Sequence, residues 1–407
     1  MPPSTLRWLP WFLVPVIALE TIVIDLILPA LPDMARDFAL NPATAQTVIS
    51  LFLLSYAISQ PVSGPLADRF GRRRVLILSM AGVTLAHLGA FLANEFWIVQ
   101  VCRFLLGLAG GACLAVGLAV FRDLYAEERL TKMFGYVFAL AGVLSIVSGL
   151  GGGWLAEHGG WHSNMLALTA ISAVYVVLLA VLLPETRPEN MAPSSFRQWF
   201  AEFKVLAGQK HFWTACLANG HNYAVMLIFI SAIPFVLADQ YQFQGQQIGN
   251  FFALVIGSYT VGSVMAGAFS RFSLKHRSLL GAAHSILPFI LTVLFLGQSV
   301  QPWSLPFLAA GLFFSIACVG LYVPLINTWQ LNPYPQVAGT AAGIMTSTSL
   351  IICSLYGWVA THFHDGTAKP MLAVMASSAI IASLFLRLAD YLNLKHQGSI
   401  HSAHSPG

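Results

Sequence analysis

The sequence predicts an all-α integral membrane protein. Twelve transmembrane helices form two pseudo-symmetric six-helix bundles, with both termini in the cytoplasm. Three observations predict this. The 407 residues are 57% apolar and only 9% charged, whereas a soluble domain carries about a quarter charged residues. Hydropathy resolves twelve apolar runs, at 10–31, 46–67, 75–93, 97–119, 133–156, 164–184, 212–237, 247–270, 278–297, 304–327, 339–361 and 370–391. Each is near the roughly 20 residues that one helical crossing needs. With the N-terminus placed inside, 17 of the 20 Lys and Arg fall on cytoplasmic segments; Arg36 and Lys369 lie outside and Arg103 lies within a span. That asymmetry sets the orientation. Membrane β-strands would alternate apolar and polar residues instead. Phosphate-binding loops, nucleophile elbows and metal-ligand Cys/His spacings are absent from the sequence. No enzymatic activity, cofactor, metal or nucleic-acid partner is therefore expected, and the net charge of +4 reports topology.

Each run can be justified in turn. The first continues through Glu20 and Asp25 to Leu31 with no small-residue cleavage site, so it reads as helix 1 and not as a cleaved signal peptide. The third and ninth carry His87 and His284, which are read as structural. The fourth contains Arg103 and the fifth a glycine-rich stretch. Residues 185–210 are the longest polar stretch and divide bundle 1–184 from bundle 211–393. Within them Phe196, Trp199, Phe200, Phe203 and Leu206 recur at helical spacing, and Ser195 with Gln198 offers a capping box. An amphipathic surface helix and a flexible linker both fit. The seventh run carries Asn219, Gly220, His221, Asn222 and Tyr223, a polar interruption of the kind that marks binding segments in transporters; interhelical hydrogen bonding fits equally. Tyr322 and Asn327 on the tenth run, with Tyr56 and Tyr259, are further candidates to line a cavity. Cys102, Cys113, Cys216, Cys318 and Cys353 all sit in apolar runs and read as small buried hydrophobes. Residues 394–407 carry His396, His401 and His404 among Ser and Gly, and a disordered tail is expected.

The two bundles resemble each other. A shift of 203 places Ser55 and Tyr56 on Ser258 and Tyr259, Gly64 on Gly267, and Arg72, Arg73 and Arg74 on Lys275, His276 and Arg277. Duplicated halves of this kind hold a substrate site near the midplane between them.

The loop after the second run reads Gly64, Pro65, Leu66, Ala67, Asp68, Arg69, Phe70, Gly71, Arg72, Arg73 and Arg74. Gly64 permits close helix packing and Gly71 a tight turn. Asp68 can face a helix N-terminus, and Arg69, Arg72 and Arg73 can pair with acids. Helix 1 adds the stretch from Asp25 to Pro32, helix 4 the stretch from Arg103 to Gly107, the sixth run ends in Leu183, Pro184, Glu185 and Thr186, and helix 11 opens with Ala338, Gly339 and Thr340. The loop matches the G-x-L-A-D-R-x-G-R signature of the major facilitator superfamily at every defined position. From about residue 10 to residue 392 the chain resembles its twelve-helix drug:proton antiporters of the Bcr/CflA type. The resemblance implies the major facilitator fold, alternating access, and a loop that latches one half to the other. Two departures stand out. The antiporters' G-P-x-x-G-G run on helix 5 reads Ser148, Gly149, Leu150, Gly151, Gly152 and Gly153, and their Gly-Trp-Arg reads Gly160, Trp161 and His162.

Three formal charges lie well inside the spans: Glu20, Asp25 and Arg103. A charge within the hydrocarbon costs about 2.5–3.5 kcal/mol or more, which makes such residues functional candidates. Asp25 and Arg103 fall at similar depth on helices that both line the cavity of this fold, so an interaction between them is expected. Glu20 is turned about 140° from Asp25 and displaced about 7.5 Å along the axis. These residues point to proton coupling, with a helix 1 carboxylate exchanging a proton for cargo. The expected activity is proton-driven export of small amphiphilic or aromatic compounds across a bacterial inner membrane by a monomer. The altered helix 5 run keeps proton-coupled uptake, or carriage of a siderophore-like or nutrient metabolite, as the alternative.

Overall fold

The computed structural model describes residues 5–125, 127–187, 196–269, 304–331, 333–334 and 337–403. Every regular element among them is helical. In order they are α1 (Thr5–Ile17), α2 (Leu19–Ile27), a 3-10 turn (Leu28–Ala30), α3 (Leu31–Asp37), α4 (Pro42–Phe70), α5 (Arg72–Phe91), α6 (Phe96–Leu124), α7 (Glu127–Leu182), α8 (Phe196–Ala207), α9 (Lys210–Tyr241), α10 (Gly245–Phe269), α11 (Ser304–Leu331), α12 (Ala338–His362) and α13 (Lys369–Ala403). The expected ninth run, with His284, and the repeat partners Lys275, His276 and Arg277 lie outside the described residues, as does Ser195 of the expected capping box.

Nine of the described helices are long and apolar enough to cross a membrane, and ten if the bent pair Trp11–Ile17 and Leu19–Asp37 counts as one span. That pair covers the expected first run as a broken helix: the chain bends by 58° between the two segments, and Pro29 and Pro32 interrupt the ladder again around the 3-10 turn. Within α7, Leu140–Leu182 runs for 43 residues, about twice the length of one crossing. Gly160 divides it at φ 64°, ψ −174°, a backbone conformation open only to glycine. The seventh run, by contrast, is not interrupted, and α9 passes through Asn219–Tyr223 as continuous helix. The expected disordered tail is helical to Ala403, because nothing before Pro406 stops propagation beyond the single Gly398.

Local chemistry sets the helix ends. Asn41 caps α4 by accepting from the Thr44 N–H at 2.8 Å, with Pro42 at the first helical position. Gly71, at φ 93°, turns α4 into α5. The non-glycine residues with positive φ among those described are Ala39 and Gln242, at 50° and 57°. They end α3 and α9 and stand 203 positions apart, so the repeat seen in the sequence recurs in the backbone.

Two halves result, α1–α7 and α9–α13, and one apolar core runs through both. Leu78, Val181 and Val264 are among large apolar side chains left facing outward, as a lipid surface requires. The linker contains the helix α8. It packs on the second half, with Leu206 buried against Phe212, Cys216, Ala341, Ile344 and Met345, and the Thr340 hydroxyl donates to Glu202.

The halves meet most extensively along two pairs, α4 with α12 and α7 with α10, and α9 adds smaller contacts with α3 and α4. Ser50 and Ser354 exchange hydroxyl-to-carbonyl bonds at 2.8 and 2.9 Å, Gln46 donates to Ser231 at 3.1 Å, and Ser347 donates to the Ala57 carbonyl at 2.9 Å. The Ser50–Ser354 and Gln46–Ser231 contacts sit toward the end of the molecule that carries the Ala39 and Gln242 turns, hereafter the far end, whereas the Ser347–Ala57 bond lies near the middle of both helices. Toward the opposite end, where both termini lie, a Cβ added at Gly64 or Gly343 would meet nothing within 4 Å.

Candidate functional site: buried carboxylates between the halves

Asp25 is 3% exposed on α2. Its carboxylate accepts from the Ser145 hydroxyl on α7. Glu20, one turn and a half earlier, is half-buried. It lies close enough to Tyr56 on α4, Tyr223 on α9, Tyr259 on α10 and Cys353 on α12 for its charge to act on each. Asp25 reaches Tyr223 as well. Two acids and three tyrosines from both halves therefore converge, and the buried Tyr56 hydroxyl has no hydrogen-bond partner. Acids grouped with aromatic side chains can hold a proton or a cation and can pack against apolar rings.

The helix break just after Asp25 is held by α7. The Asn164 amide donates to the Leu26 carbonyl at 2.5 Å and to the Gly152 carbonyl at 3.0 Å. A Cβ on Gly152 would collide with the Leu26 backbone. A neighbouring face of α7 meets α10 backbone to backbone. A Cβ on Gly153 would stand 2.7 Å from the Gly245 carbonyl oxygen, and one on Gly249 2.6 Å from that of Gly149. The two Gly-x-x-x-Gly pairs thus form the small-residue crossing typical of membrane helices. Just beyond it, the Gln246 N–H donates to Glu157 at 3.3 Å.

Arg103 does not join this site, which corrects the expected pairing with Asp25. Its guanidinium is 2% exposed and donates to the Met165 sulfur at 3.5 Å; Cys102 and His87 are its other neighbours. Among the described residues no carboxylate lies within ion-pair distance of it. Equal depth placed the two groups at one height, but Arg103 points away, toward α5 and the second limb of α7.

The polar residues of α9 also divide. Tyr223 faces the acids. Asn219 instead donates to Ser349 at 3.3 Å, and His221 packs against Tyr356 and Phe385 inside the second bundle. Asn222 is fully buried, with both amide atoms unpartnered. Tyr322 belongs to a separate apolar cluster with Ala215, Ile326 and Trp329, about one and a half turns before Asn327.

The loop between α4 and α5 is stitched within the first half. Arg72 pairs with Asp68 at 2.5 Å and with Asp123 of α6 at 3.2 Å. Arg73 donates to the Ala180 carbonyl, and Arg69 lies over the Phe70 ring at 5.4 Å. The carboxylate at the N-terminus of α5 is Glu185 and not Asp68. Glu185 accepts from the Arg72 and Arg73 N–H groups at 2.9 and 3.3 Å, and a Cβ on Gly71 would run into it. In the described conformation none of these contacts crosses to the second half.

At the far end the halves also enclose a cleft of about 460 Å³, whose lining includes Asp33, Arg36, Ala39, Phe235, Asp239 and Gln242. Asp33 is paired with Arg36, and Asp239 with His364 at 2.8 Å. Among the described residues no group of three His, Cys, Asp or Glu side chains is arranged to hold a metal.

Sequence reasoning missed Ser145, Asn164, Asp123, Gly245 and Gly249, and it named Glu185 without its place at the N-terminus of α5. Gly245 and Gly249 were legible as a Gly-x-x-x-Gly spacing.

Comparison with known proteins agrees with this architecture. The chain is 27% identical over 364 residues to an uncharacterized MFS-type transporter, YdgK, of Bacillus subtilis (strain 168), covering 89% of this chain and 90% of the relative. It is 25% identical over 388 residues to a bicyclomycin resistance protein homolog of Haemophilus influenzae, covering 92% and 94%. Among solved structures, a bacterial homolog of the human lysosomal transporter Spinster, inward-facing and occupied, superposes with a TM-score of 0.78 at 15% identity over 95% of this chain and 97% of that one. That likeness shows the fold. The family model of the Major Facilitator Superfamily matches residues 13–357. Two helical halves meeting around buried acids, the complete loop signature and that match together place this multi-pass membrane chain, a transporter and not an enzyme, in the major facilitator superfamily.

Proposed function

We propose that the chain is a proton-coupled exporter of small amphiphilic or aromatic compounds, with twelve crossings and both termini in the cytoplasm of a bacterium, working as a monomer in the inner membrane. The observation that carries this reading is the pair of helix 1 acids, Glu20 and Asp25. They lie within electrostatic reach of tyrosines from both halves, and among the described residues neither is paired with a cation. A proton neutralises such a carboxylate, whereas a bound cation or hydrogen-bonding cargo favours its ionised form. Proton and cargo therefore compete for one place, which is the linkage an exchanger needs.

In this orientation the far end, where Ser50 and Ser354 bond across the halves, faces outward, and the end that carries Gly64 and Gly343 faces the cytoplasm. Cargo entering from that side meets ionised Glu20 and Asp25. After the outer seam opens, protons from outside displace it. The resistance function in the printed name of the Haemophilus relative supports export.

The test is proton movement in inside-out vesicles, read with a pH-sensitive dye against a panel of lipophilic cations, neutral drugs and siderophores. Cargo-triggered proton release that disappears in Asp25→Asn or Glu20→Gln is the expected result. Release unchanged in both variants overturns the reading. One observation favours uptake instead: Ser148 and Gly149 replace the Gly-Pro of the antiporter run. If no compound triggers release in sealed, protein-bearing vesicles, accumulation in right-side-out vesicles is the expected finding.

A further inference from the structure

A carrier that exchanges protons for cargo must not reverse while empty. If it turned outward with neither ligand bound after releasing a proton inside, each cycle would move a proton for nothing. Some contact has to hold the outer seam shut in that one state. It must therefore sense the charge on the coupling acid.

Ser145 stands where such a contact is needed. It is buried on α7, 6% exposed, one turn before Gly149. Its hydroxyl donates to Asp25. Ser145 and Gly152 turn toward α2, whereas Gly149 and Gly153 turn toward α10, about 70° further around the helix. The same rigid segment is thus tied to the acid on one side and seals the halves on the other. The groups facing Asp25 are Glu20 from its own helix, Tyr223 from α9 and Ser145 from α7. Arg103 is directed elsewhere, and among the described residues no cation is paired with the Asp25 carboxylate in place of the serine. A hydrogen bond to an ionised carboxylate is about twice as strong as one to a neutral acid. The tie is tightest when Asp25 has lost its proton.

We propose that Ser145 is a positioning residue that senses the charge of Asp25 and, through α7, keeps the Gly149/Gly153–Gly245/Gly249 seam closed while the carrier is empty. Protonation of Asp25, or a cargo group set against its carboxylate, loosens the tie and lets α7 part from α10. The inference rests on the proton-coupling reading of Asp25 given above.

The experiment uses purified full-length chain in proteoliposomes containing a pH-sensitive dye, with an imposed proton gradient and no cargo. Ser145→Ala is expected to raise carrier-dependent proton leak about tenfold, the population shift expected when one charge-assisted bond is lost. Ser145→Thr keeps the hydroxyl and is expected to stay at the wild-type leak. The double variant Ser145→Ala, Asp25→Asn is expected to fall back to the baseline, because the carboxylate that ferries the proton is gone. Monodisperse size-exclusion profiles show that each variant is folded. Wild-type leak in Ser145→Ala overturns the proposal. So does leak that persists in the double variant, since that is a water path and not slippage. Failure of the underlying reading looks different: cargo-triggered proton release survives Asp25→Asn, and the role given to Ser145 falls with it.

Discussion

At the scale of single residues, the carboxylates were legible and their attendants were not. Glu20 and Asp25 stand out in sequence because charge is costly in hydrocarbon. Ser145 does not, because a serine in a membrane helix ordinarily bonds its own backbone, as Ser55, Ser63 and Ser172 do here. Arg103 shows the complementary failure. Counting residues gives the height of a side chain in the membrane, but its direction depends on which helices pack beside it. Asn164 is a case where geometry forecasts energy. It donates to the Leu26 carbonyl beside the break after α2 and to the Gly152 carbonyl. Asn164→Ala is expected to destabilise the protein by about 1–3 kcal/mol, the cost of a buried unsatisfied carbonyl. The check is a lower thermal midpoint of the detergent-solubilised chain. Gly71 supports a similar expectation. Any side chain there takes a left-handed conformation and pushes Glu185 off the α5 N-terminus. Gly71→Ala is expected to cost about 2 kcal/mol, seen as lower transport at unchanged membrane insertion.

At the scale of elements, the glycines carry the argument. The helix 5 run lacks the proline of its relatives, yet three of its glycines are used for close approach: Gly152 against α2, and Gly149 and Gly153 against α10. The motif was readable, but its partners were not, because two helices about a hundred residues apart meet only in the folded chain. Gly249→Leu is expected to force α10 away from α7 and shift the population toward the outward-open state. Spin labels at Arg36 and Gln244, on opposite walls of the far-end cleft, are expected to report a longer distance than in the wild type. The linker shows how far periodicity can be trusted. Helical spacing of Phe203 and Leu206 was compatible with α8 and equally with a flexible linker, and did not indicate the surface that α8 covers. Leu206 is fully buried against the second half. Leu206→Ala is expected to loosen the docking by about 2–5 kcal/mol and to speed proteolysis near Gly208.

At the scale of the whole molecule, the sequence was most informative about architecture: two halves, a repeat offset of 203 and a dividing linker. It said nothing about conformation, because one chain must satisfy both the inward- and outward-open arrangements. The loop signature illustrates this. Its expected role joins the halves, yet here Asp68, Arg72, Asp123 and Glu185 bind one another within the first half. The far-end contacts then define the state, and they can be locked. Ser50 and Ser354 approach each other reciprocally across α4 and α12. Cysteines at both positions are expected to form a disulfide on oxidation, abolish transport, and return activity when reduced.

The crossing of α7 and α10 has a final consequence, for kinetics. Freezing a long side chain costs up to about 2 kcal/mol of rotamer entropy, while glycine has none to lose. At its tightest points this crossing joins bare backbone to bare backbone, so little side-chain motion is frozen when it forms or regained when it parts. The entropic toll of each opening is correspondingly small, and the membrane-wide swing of the halves can be repeated without waiting for side chains to find their places.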